Sequence, residues 1–217
     1  MKKLFFLTVI FVASHFIGNA QTTRFGFTAG AAFANYKSKM NGETENANSK
    51  TGITAGVLID ILTGKHFSFQ PAVNFVQKGT KDEETSGGIT EKVNLTVNCI
   101  EVPLNFLYNT QSNSGNFFIG AGPSLAFALS GKLKFDDGTN SLSEDIKFGS
   151  GENDDMKGLD LGANFITGYC FQNGLLFSVN YNAGLSNLSP GGSNDGTVKS
   201  HYFGIKLGYL LNSKGKK

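Results

Sequence analysis

Bulky apolar residues alternate with small or polar ones along most of this chain. In the segment that begins at Phe25, the side chains of Phe25, Phe27 and Phe33 fall on one side, and Gly26 and Thr28 fall on the other. A repeat of two residues is the period of a β-strand, whereas a helix repeats every 3.6 residues. The pattern recurs in eight segments: 25–36, 53–61, 67–78, 93–108, 117–129, 159–171, 175–185 and 202–209. We therefore predict an all-β fold of eight antiparallel strands.

The two faces of these segments differ in a way that indicates the solvent. One face carries Phe, Leu, Ile and Val, whereas the other is rich in Gly, Ser and Asn; the chain has 28 Gly and 20 Phe but no Trp. A water-soluble barrel places its large apolar side chains inside and its charges outside. Small, polar residues inside and bulky, apolar residues outside are typical of a membrane barrel. The pattern predicts an up-and-down transmembrane β-barrel in the outer membrane of a Gram-negative cell.

The connections between the segments alternate in length. The long ones are predicted at 37–50, 80–92, 131–157 and 188–199, and the short ones at 63–66, 110–116 and 172–174. Outer-membrane barrels have short periplasmic turns and long extracellular loops, and an even number of strands brings both termini to the same side. We expect four outer loops, with both termini in the periplasm.

Cys99 lies where the fourth segment changes character. Its apolar positions run through Val93, Leu95 and Val97, and then shift by one residue at Ile100, which predicts a β-bulge near Cys99. The other cysteine is Cys170. Two cysteines are too few for a disulfide scaffold. They are predicted to be buried small hydrophobic residues, with a single bridge as the alternative in an oxidising periplasm.

The N-terminal residues 1–20 have the pattern of a cleaved signal peptide. A cationic start with Lys2 and Lys3 is followed by an apolar stretch over 4–17 and by small residues up to Ala20, so cleavage is expected before Gln21. A membrane anchor is the alternative, but the apolar stretch is shorter than the roughly 20 residues that a spanning helix needs. The barrel is then predicted over 21–211 and a basic tail over 212–217.

The charge balance of the mature chain is neutral. Of the 19 basic residues, removal of Lys2 and Lys3 leaves 17, which equals the 17 acidic residues. A nucleic-acid partner would require a basic surface, so none is predicted.

Charged residues on the predicted inner face form the strongest candidate site. They are Asp60, Lys78, Glu101, Asp160 and Lys206. Side chains fill an eight-stranded barrel, and isolated charges there would be unfavourable unless they are paired. We predict a structural plug in which Glu101 and Asp160 face Lys78 or Lys206. The alternative is a narrow ion path.

Short motifs occur in order along nearly the whole mature chain. They are 69–73, 77–79, 100–104, 120–123, 160–162, 168–169, 181–187 and 208–209. As an ordered set, they resemble the PorT-type outer-membrane β-barrel domain family. The chain departs from that family at Ala72, where an acid is common, and in the basic tail that follows the last strand. The resemblance implies a small eight-stranded barrel in the outer membrane, and it implies no particular activity because the family does not share one.

No catalytic site, cofactor or metal is predicted. Ser200 and His201 are adjacent on a strand and therefore point to opposite faces, and His66 lies in a short turn. The third outer loop carries seven acidic residues, and its 136–140 stretch only faintly resembles a calcium loop. We interpret it as a solvated loop, the alternative being divalent cations that bridge it to lipopolysaccharide phosphates.

The predicted function is that of a non-enzymatic barrel with a structural, surface-binding or accessory role. Its expected partners are outer-membrane lipid, lipopolysaccharide and an envelope protein bound through the outer loops. A small channel and, less favoured by the residues, a lipid-modifying enzyme are the alternatives.

Overall fold

The computed structural model describes residues 23–40, 43–86, 89–110, 112, 114–151, 153–190 and 196–211. The predicted signal peptide and basic tail lie outside these residues. The strands are β1 (Thr23–Met40), β2 (Glu43–Asn46), β3 (Asn48–Leu62), β4 (Phe67–Ser86), β5 (Ile89–Asn109), β6 (Gly115–Asp136), β7 (Ser141–Asp145), β8 (Leu159–Phe171), β9 (Leu175–Gly184) and β10 (Thr197–Leu211). Over the described ranges, there is no helix long and apolar enough to cross a membrane.

Eight long strands close into a barrel. Each pairs antiparallel with the next along the chain, in the order β1, β3, β4, β5, β6, β8, β9 and β10, and β10 pairs back with β1 from Phe25–Leu211 to Lys39–Thr197. The short strands β2 and β7 attach to β1 and β6 at the end opposite the three short turns. The predicted eight-stranded antiparallel barrel is confirmed.

The alternation in the sequence sorts side chains between the two faces of this wall. Outward residues such as Phe27 and Phe203 are 54% and 42% exposed, while their inward neighbours are buried. Glycine on the inner face allows the strands to approach closely. At Gly30, for example, a Cβ atom would overlap the carbonyl oxygen of Ile205 on β10. The barrel is thus wrapped in an apolar belt, as lipid requires.

Three ring strands, β4, β5 and β6, continue past the ring at the end opposite the short turns, where β7 joins them. The pairing of β6 with β8 ends at Phe127–Leu159, yet β6 runs on to Asp136 between β5 and β7, and β4 and β5 remain paired as far as Ser86–Ile89. The predicted loops at 80–92 and 131–157 are therefore wrong in large part. The antiparallel pairing of β4 with β5 continues from the ring without a break, and β6 pairs antiparallel with β7 in place of β8. We call residues 82–86, 89–96, 128–136 and 141–145 the sheet extension.

The other two long connections are also shorter than predicted, because β1 continues to Met40, β3 begins at Asn48 and β10 begins at Thr197. The three short turns agree with their predicted positions, since the flanking strands end at Leu62, Asn109 and Phe171.

A bulge occurs at the predicted level but in the neighbouring strand. Asn98 pairs with Ser130 and Cys99 with Ala128, so the extra residue is Leu129 of β6. The inner face of β5 does not change parity, and Val97 points inward with 2% exposure. Along β5, the lumen-facing residues change from apolar ones such as Val97 to polar ones such as Glu101, and this change produces the apparent shift of the apolar positions. The prediction of a bulge within β5 is wrong.

Candidate functional site

The lumen contains three layers of side chains. An apolar lower cluster lies at the short-turn end and an apolar upper cluster lies below the sheet extension, with polar and charged residues between them. The lower cluster consists of Leu58, Leu107, Phe118, Cys170, Leu176 and Leu210, and the upper cluster of Tyr36, Val97, Cys99, Ala126 and Leu188. The two cysteines lie in different clusters and are free and buried, so the structure contradicts a bridge between them.

Lys78 of β4 is the centre of the charged layer. Its Nζ atom lies 3.2 Å from Asp160 Oδ2 and 3.7 Å from Glu101 Oε2, and it donates to Ser200 Oγ at 3.3 Å. The Tyr202 hydroxyl donates to Glu101 Oε1 at 2.5 Å. These contacts link strands on opposite sides of the barrel, so the charged layer connects the wall across the lumen.

Asp160 is also held by two hydroxyl groups. Ser186 Oγ donates to Asp160 Oδ1 at 3.0 Å, and Ser200 Oγ donates to Asp160 Oδ2. Because each carboxylate oxygen has a donor, the charge of Asp160 is compensated inside the barrel.

The five predicted lumen residues all lie on the inner face, but they do not form one cluster. Asp60 lies near the short-turn end and binds Arg24, whose Nη2 and Nε atoms are 2.5 and 3.1 Å from Asp60 Oδ2. Lys206 lines a central cavity with Glu101, yet in the described part of the chain it has no carboxylate oxygen within 4 Å. In the structure, Lys78 is the lysine that lies within 4 Å of both Glu101 and Asp160.

Arg24 lies outside the predicted first segment, which begins at Phe25, whereas β1 begins at Thr23. The alternation itself contains the signal, since Arg24 shares its parity with Gly26 and Thr28 on the inner face. Arg24 is also directly opposite Asp60 in the β1–β3 register.

Buried amides form a second network in the lumen. Asn180 donates to Asn164 at 3.0 Å, and Asn164 donates to Asn105 at 2.9 Å. Asn164 and Asn105 belong to β8 and β5, which are separated by β6, and they meet above Gly122. A Cβ atom at Gly122 would overlap the carbonyl oxygen of Leu104, so only glycine leaves room for the close approach of β5 and β6.

The cavity between these networks is small. It has a volume of about 20 Å³, and its walls include Asn105, Asn164, Glu101 and Lys206. A space of this size holds about one water molecule. Side chains therefore fill the middle of the barrel, and the cavity has no room for a substrate.

The buried Ser200 and Lys78 do not form a nucleophilic dyad. Ser200 donates a hydrogen bond to Asp160, and the Lys78 ammonium group pairs with two carboxylates, so Lys78 is not available as a base for the Ser200 hydroxyl. Ser200 is 1% exposed. His201 lies on the outer face, where its Nδ1 atom is 3.3 Å from the Tyr181 hydroxyl. Serine and histidine thus point to opposite faces, as predicted.

His66 occupies the short turn between β3 and β4, as predicted, and its Nδ1 atom is 3.0 Å from the carbonyl oxygen of Asn109. Its ring stacks on Tyr108, with the ring centroids 5.6 Å apart. These contacts give His66 a structural role in the turn.

The acidic residues of the third connection bind backbone amides. Asp137 Oδ1 accepts hydrogen bonds from the amides of Thr139 and Asn140, which lowers the pKa of its carboxyl group. Asp154 and Asp155 accept from the amides of Gly151 and Lys147. These carboxylates stabilise turns, and across the residues described no group of three or more potential metal ligands converges.

The family assignment agrees with this architecture. Residues 19–189 match the outer membrane protein beta-barrel domain family. The chain belongs to this family. It is an outer-membrane β-barrel protein, and its apolar belt is that of such a barrel.

Solved structures with a similar course of the chain include Ail of Yersinia pestis, with 14% identity, a TM-score of 0.42 and coverage of 87% of this chain and 98% of that one. OprG of Pseudomonas aeruginosa has 12% identity and a TM-score of 0.46, with coverage of 89% and 98%. Neisserial surface protein A has 14% identity and a TM-score of 0.40, with coverage of 86% and 97%. No curated protein matches this chain.

Proposed function

We propose that this chain is a non-enzymatic, closed barrel that holds a protein-binding surface outside the cell. The observation that carries the proposal is the sheet extension, whose strands remain paired well past the last ring contact at Phe127–Leu159. An ordered sheet presents side chains at fixed positions, which favours binding. Within the outer-membrane family, we assign the chain to the PorT type on its ordered motifs.

The closed state of the lumen follows from its packing. Leu107 and Leu210 of the lower cluster are each 2% exposed, as is Val97 of the upper cluster. An ion would have to pass both apolar clusters without its hydration shell, which is strongly unfavourable. The lumen therefore supports the barrel and does not conduct.

One face of the sheet extension is apolar at its centre. Val93 is opposite Phe135 and Phe135 is opposite Leu142, so these three residues form one row across β5, β6 and β7. Phe135 is 39% exposed and Leu142 59%. The row lines a groove of about 150 Å³. We call this side of the sheet the acidic face, because of the residues that surround the row.

Most charges around this row are negative, and Lys92, which also lines the groove, has its Nζ atom 3.9 Å from Glu83 Oε1. Asp82 is opposite Val93, Glu91 and Glu144 each lie two positions from a member of the row on the same strand and so share its face, and Asp137 lines the groove just past the end of β6. In the described residues, none of these four forms an ion pair. Lys81, Lys132 and Lys134 alternate to the other face. This charge distribution complements a basic, partly apolar polypeptide segment.

The sheet extension also has a free edge. β7 pairs with β6, and no second partner strand of β7 occurs in the described part of the chain. An extended segment could add to this edge through backbone hydrogen bonds while its basic side chains reach the acidic face.

The orientation is tested by thiol labelling, because both native cysteines are 5% exposed. Ser143→Cys places a thiol on β7, and Gly64→Cys places a matched thiol in a short turn, where a Cβ atom meets nothing within 4 Å. We expect a membrane-impermeant maleimide to label Ser143→Cys in intact cells and Gly64→Cys only after lysis. The reverse labelling would contradict the proposed orientation.

The binding surface is tested by photo-crosslinking in intact cells. A benzoylphenylalanine at position 142 is expected to give one discrete protein adduct, whereas the same group at position 64 gives none. The adduct should disappear with Phe135→Ser and weaken with added salt. An adduct that persists in Phe135→Ser, or the absence of any adduct at position 142, would contradict a docking role for the acidic face.

A further inference from the structure

A basic patch lies on the outer wall of the barrel, next to the apolar belt. Lys37 of β1 and Lys199 of β10 are directly opposite each other, and the next pair towards the membrane is Asn35 and His201. Their inward neighbours, such as Ser200, are buried, so Lys37, Lys199 and His201 share the outward face. We call these three residues the wall patch.

The wall patch carries positive charge that no carboxylate in the described part of the chain compensates. Like charges directly opposite each other on paired strands are destabilising. No carboxylate of the described residues lies within 4 Å of the amino group of Lys37 or Lys199. The arrangement therefore favours an external anion between the two lysines.

The residues opposite the wall patch on the neighbouring strands indicate its height relative to the membrane. His201 is opposite Ala183, and Ala183 is opposite Ala163. Gly184 packs against the backbone of Ser200, so Leu185, just past the end of β9, continues this register towards Lys199 in the next row outward. The amide of Leu185 donates to the carbonyl oxygen of Leu161 at 2.7 Å, which places Leu161 in the same row. The two leucines are 60% and 46% exposed. Cationic and apolar side chains thus lie side by side at one height.

Below this row the wall is aromatic. Phe203 is opposite Phe33 on β1 and Tyr181 on β9, and the Tyr181 ring stacks on His201 with the ring centroids 6.3 Å apart. Aromatic residues mark the two interfaces of a membrane barrel. The row of Lys37 and Lys199 therefore lies at headgroup height.

We infer that the wall patch binds the phosphate of a phosphorylated outer-leaflet glycolipid, a lipid A-type headgroup. The two ammonium groups would bind the phosphate, since Lys acts as a point charge for phosphate, and acyl chains would cover Leu161 and Leu185. The assignment to the outer leaflet rests on the orientation proposed above. A lipid is favoured over free phosphate because a soluble anion has no acyl chains to contact the adjacent leucines.

The test compares lipid retention by purified barrels in detergent micelles, measured by native mass spectrometry. The probes are lipid A with two phosphates and the same lipid after dephosphorylation. Lys37→Gln/Lys199→Gln removes both lysines of the wall patch, and Lys132→Gln/Lys134→Gln removes the same charge from the sheet extension. Lys37→Arg/Lys199→Arg keeps the charge. Heat-modifiable migration on gels verifies that each variant is folded.

We expect retention of phosphorylated lipid A to fall about tenfold for each lysine removed from the wall patch. The matched extension variant and the arginine variant should retain it like the wild type, and the dephosphorylated lipid should bind weakly to all of them. Equal retention by the glutamine variant would overturn the inference, as would an equal loss in the extension variant. Displacement of the lipid by millimolar inorganic phosphate would overturn the assignment to a lipid. Because micelles impose no orientation, these results are independent of the labelling experiment.

Discussion

Two sets of carboxylates in this barrel have opposite surroundings. In the lumen, Glu101 and Asp160 share Lys78 and accept hydrogen bonds from neutral hydroxyl groups. On the acidic face, Glu91 and Glu144 are exposed and, in the described residues, have no ion-pair partner. A buried charge must be compensated within the protein, whereas an exposed one is stabilised by water. The comparison separates charges that hold the barrel together from charges that remain free to bind.

The largest loss of stability is expected when the buried ion pairs of Lys78 are broken. Lys78→Met leaves Glu101 and Asp160 close together with no cation between them. We expect the free energy of unfolding to fall by about 3–5 kcal/mol, the usual result of removing one partner from a buried ion pair. Urea unfolding of the barrel in lipid vesicles measures it.

The control for Lys78→Met removes the lysine and both of its carboxylate partners together. Lys78→Met/Glu101→Gln/Asp160→Asn should recover most of the lost stability, because no uncompensated charge then remains. A triple variant that is less stable than Lys78→Met would show that the ion pairs themselves, and not the need for compensation, dominate the charged layer.

A smaller loss of stability is expected when a side chain of the lower cluster is truncated. Leu107→Ala removes a side chain that is 2% exposed and leaves a cavity beside Phe118 and Leu176. The free energy of unfolding should fall by about 2–4 kcal/mol. Leu207→Ala is the matched control, since Leu207 is 60% exposed on the outer wall. Equal effects in the two variants would mean that lipid contacts contribute as much as lumen packing.

Among the ion pairs, the exposed ones of the sheet extension are expected to contribute least to the free energy of unfolding. The Lys132 and Asp145 side chains are 69% and 83% exposed, and their charged atoms are 3.7 Å apart. Asp145→Asn is expected to change the free energy of unfolding by less than about 1 kcal/mol. A larger loss in urea unfolding would show that the sheet extension folds together with the barrel as one tightly coupled unit.

No loss of stability is expected when carboxylates of the acidic face are neutralised. Asp82→Asn/Glu91→Gln/Glu144→Gln should leave the unfolding transition unchanged and abolish the salt-sensitive adduct from position 142. Asp137 is left intact because it binds the amides of Thr139 and Asn140. Destabilisation without loss of the adduct would reverse the roles assigned to the two sets of carboxylates.

The alternation of the sequence was sufficient to predict the ring and the lumen face, because strand geometry assigns every second residue to one side. It could not predict the sheet extension, whose Ser, Asp, Gly and Lys residues have the composition of loops. Nor could it place the bulge at Leu129, because Val93, Leu95 and Val97 fit a lipid-facing pattern as well as a lumen-facing one. Only the register distinguishes the two.

The partners of the lumen charges were predictable only in part. Lys78 and Asp160 lie on β4 and β8, which are not neighbours, so their contact depends on the diameter of the closed barrel. Arg24 and Asp60, by contrast, are register partners on adjacent strands. That pair could have been predicted by extending the first segment by one residue.

Single-channel recording in planar bilayers tests the central claim, that the lumen is a closed structural core, most directly. Insertion is verified by heat-modifiable migration of the reconstituted protein. We predict no discrete openings from the wild-type barrel at any applied voltage. Regular openings with a reproducible conductance would contradict the closed lumen and would identify the charged layer around Lys78 as an ion path.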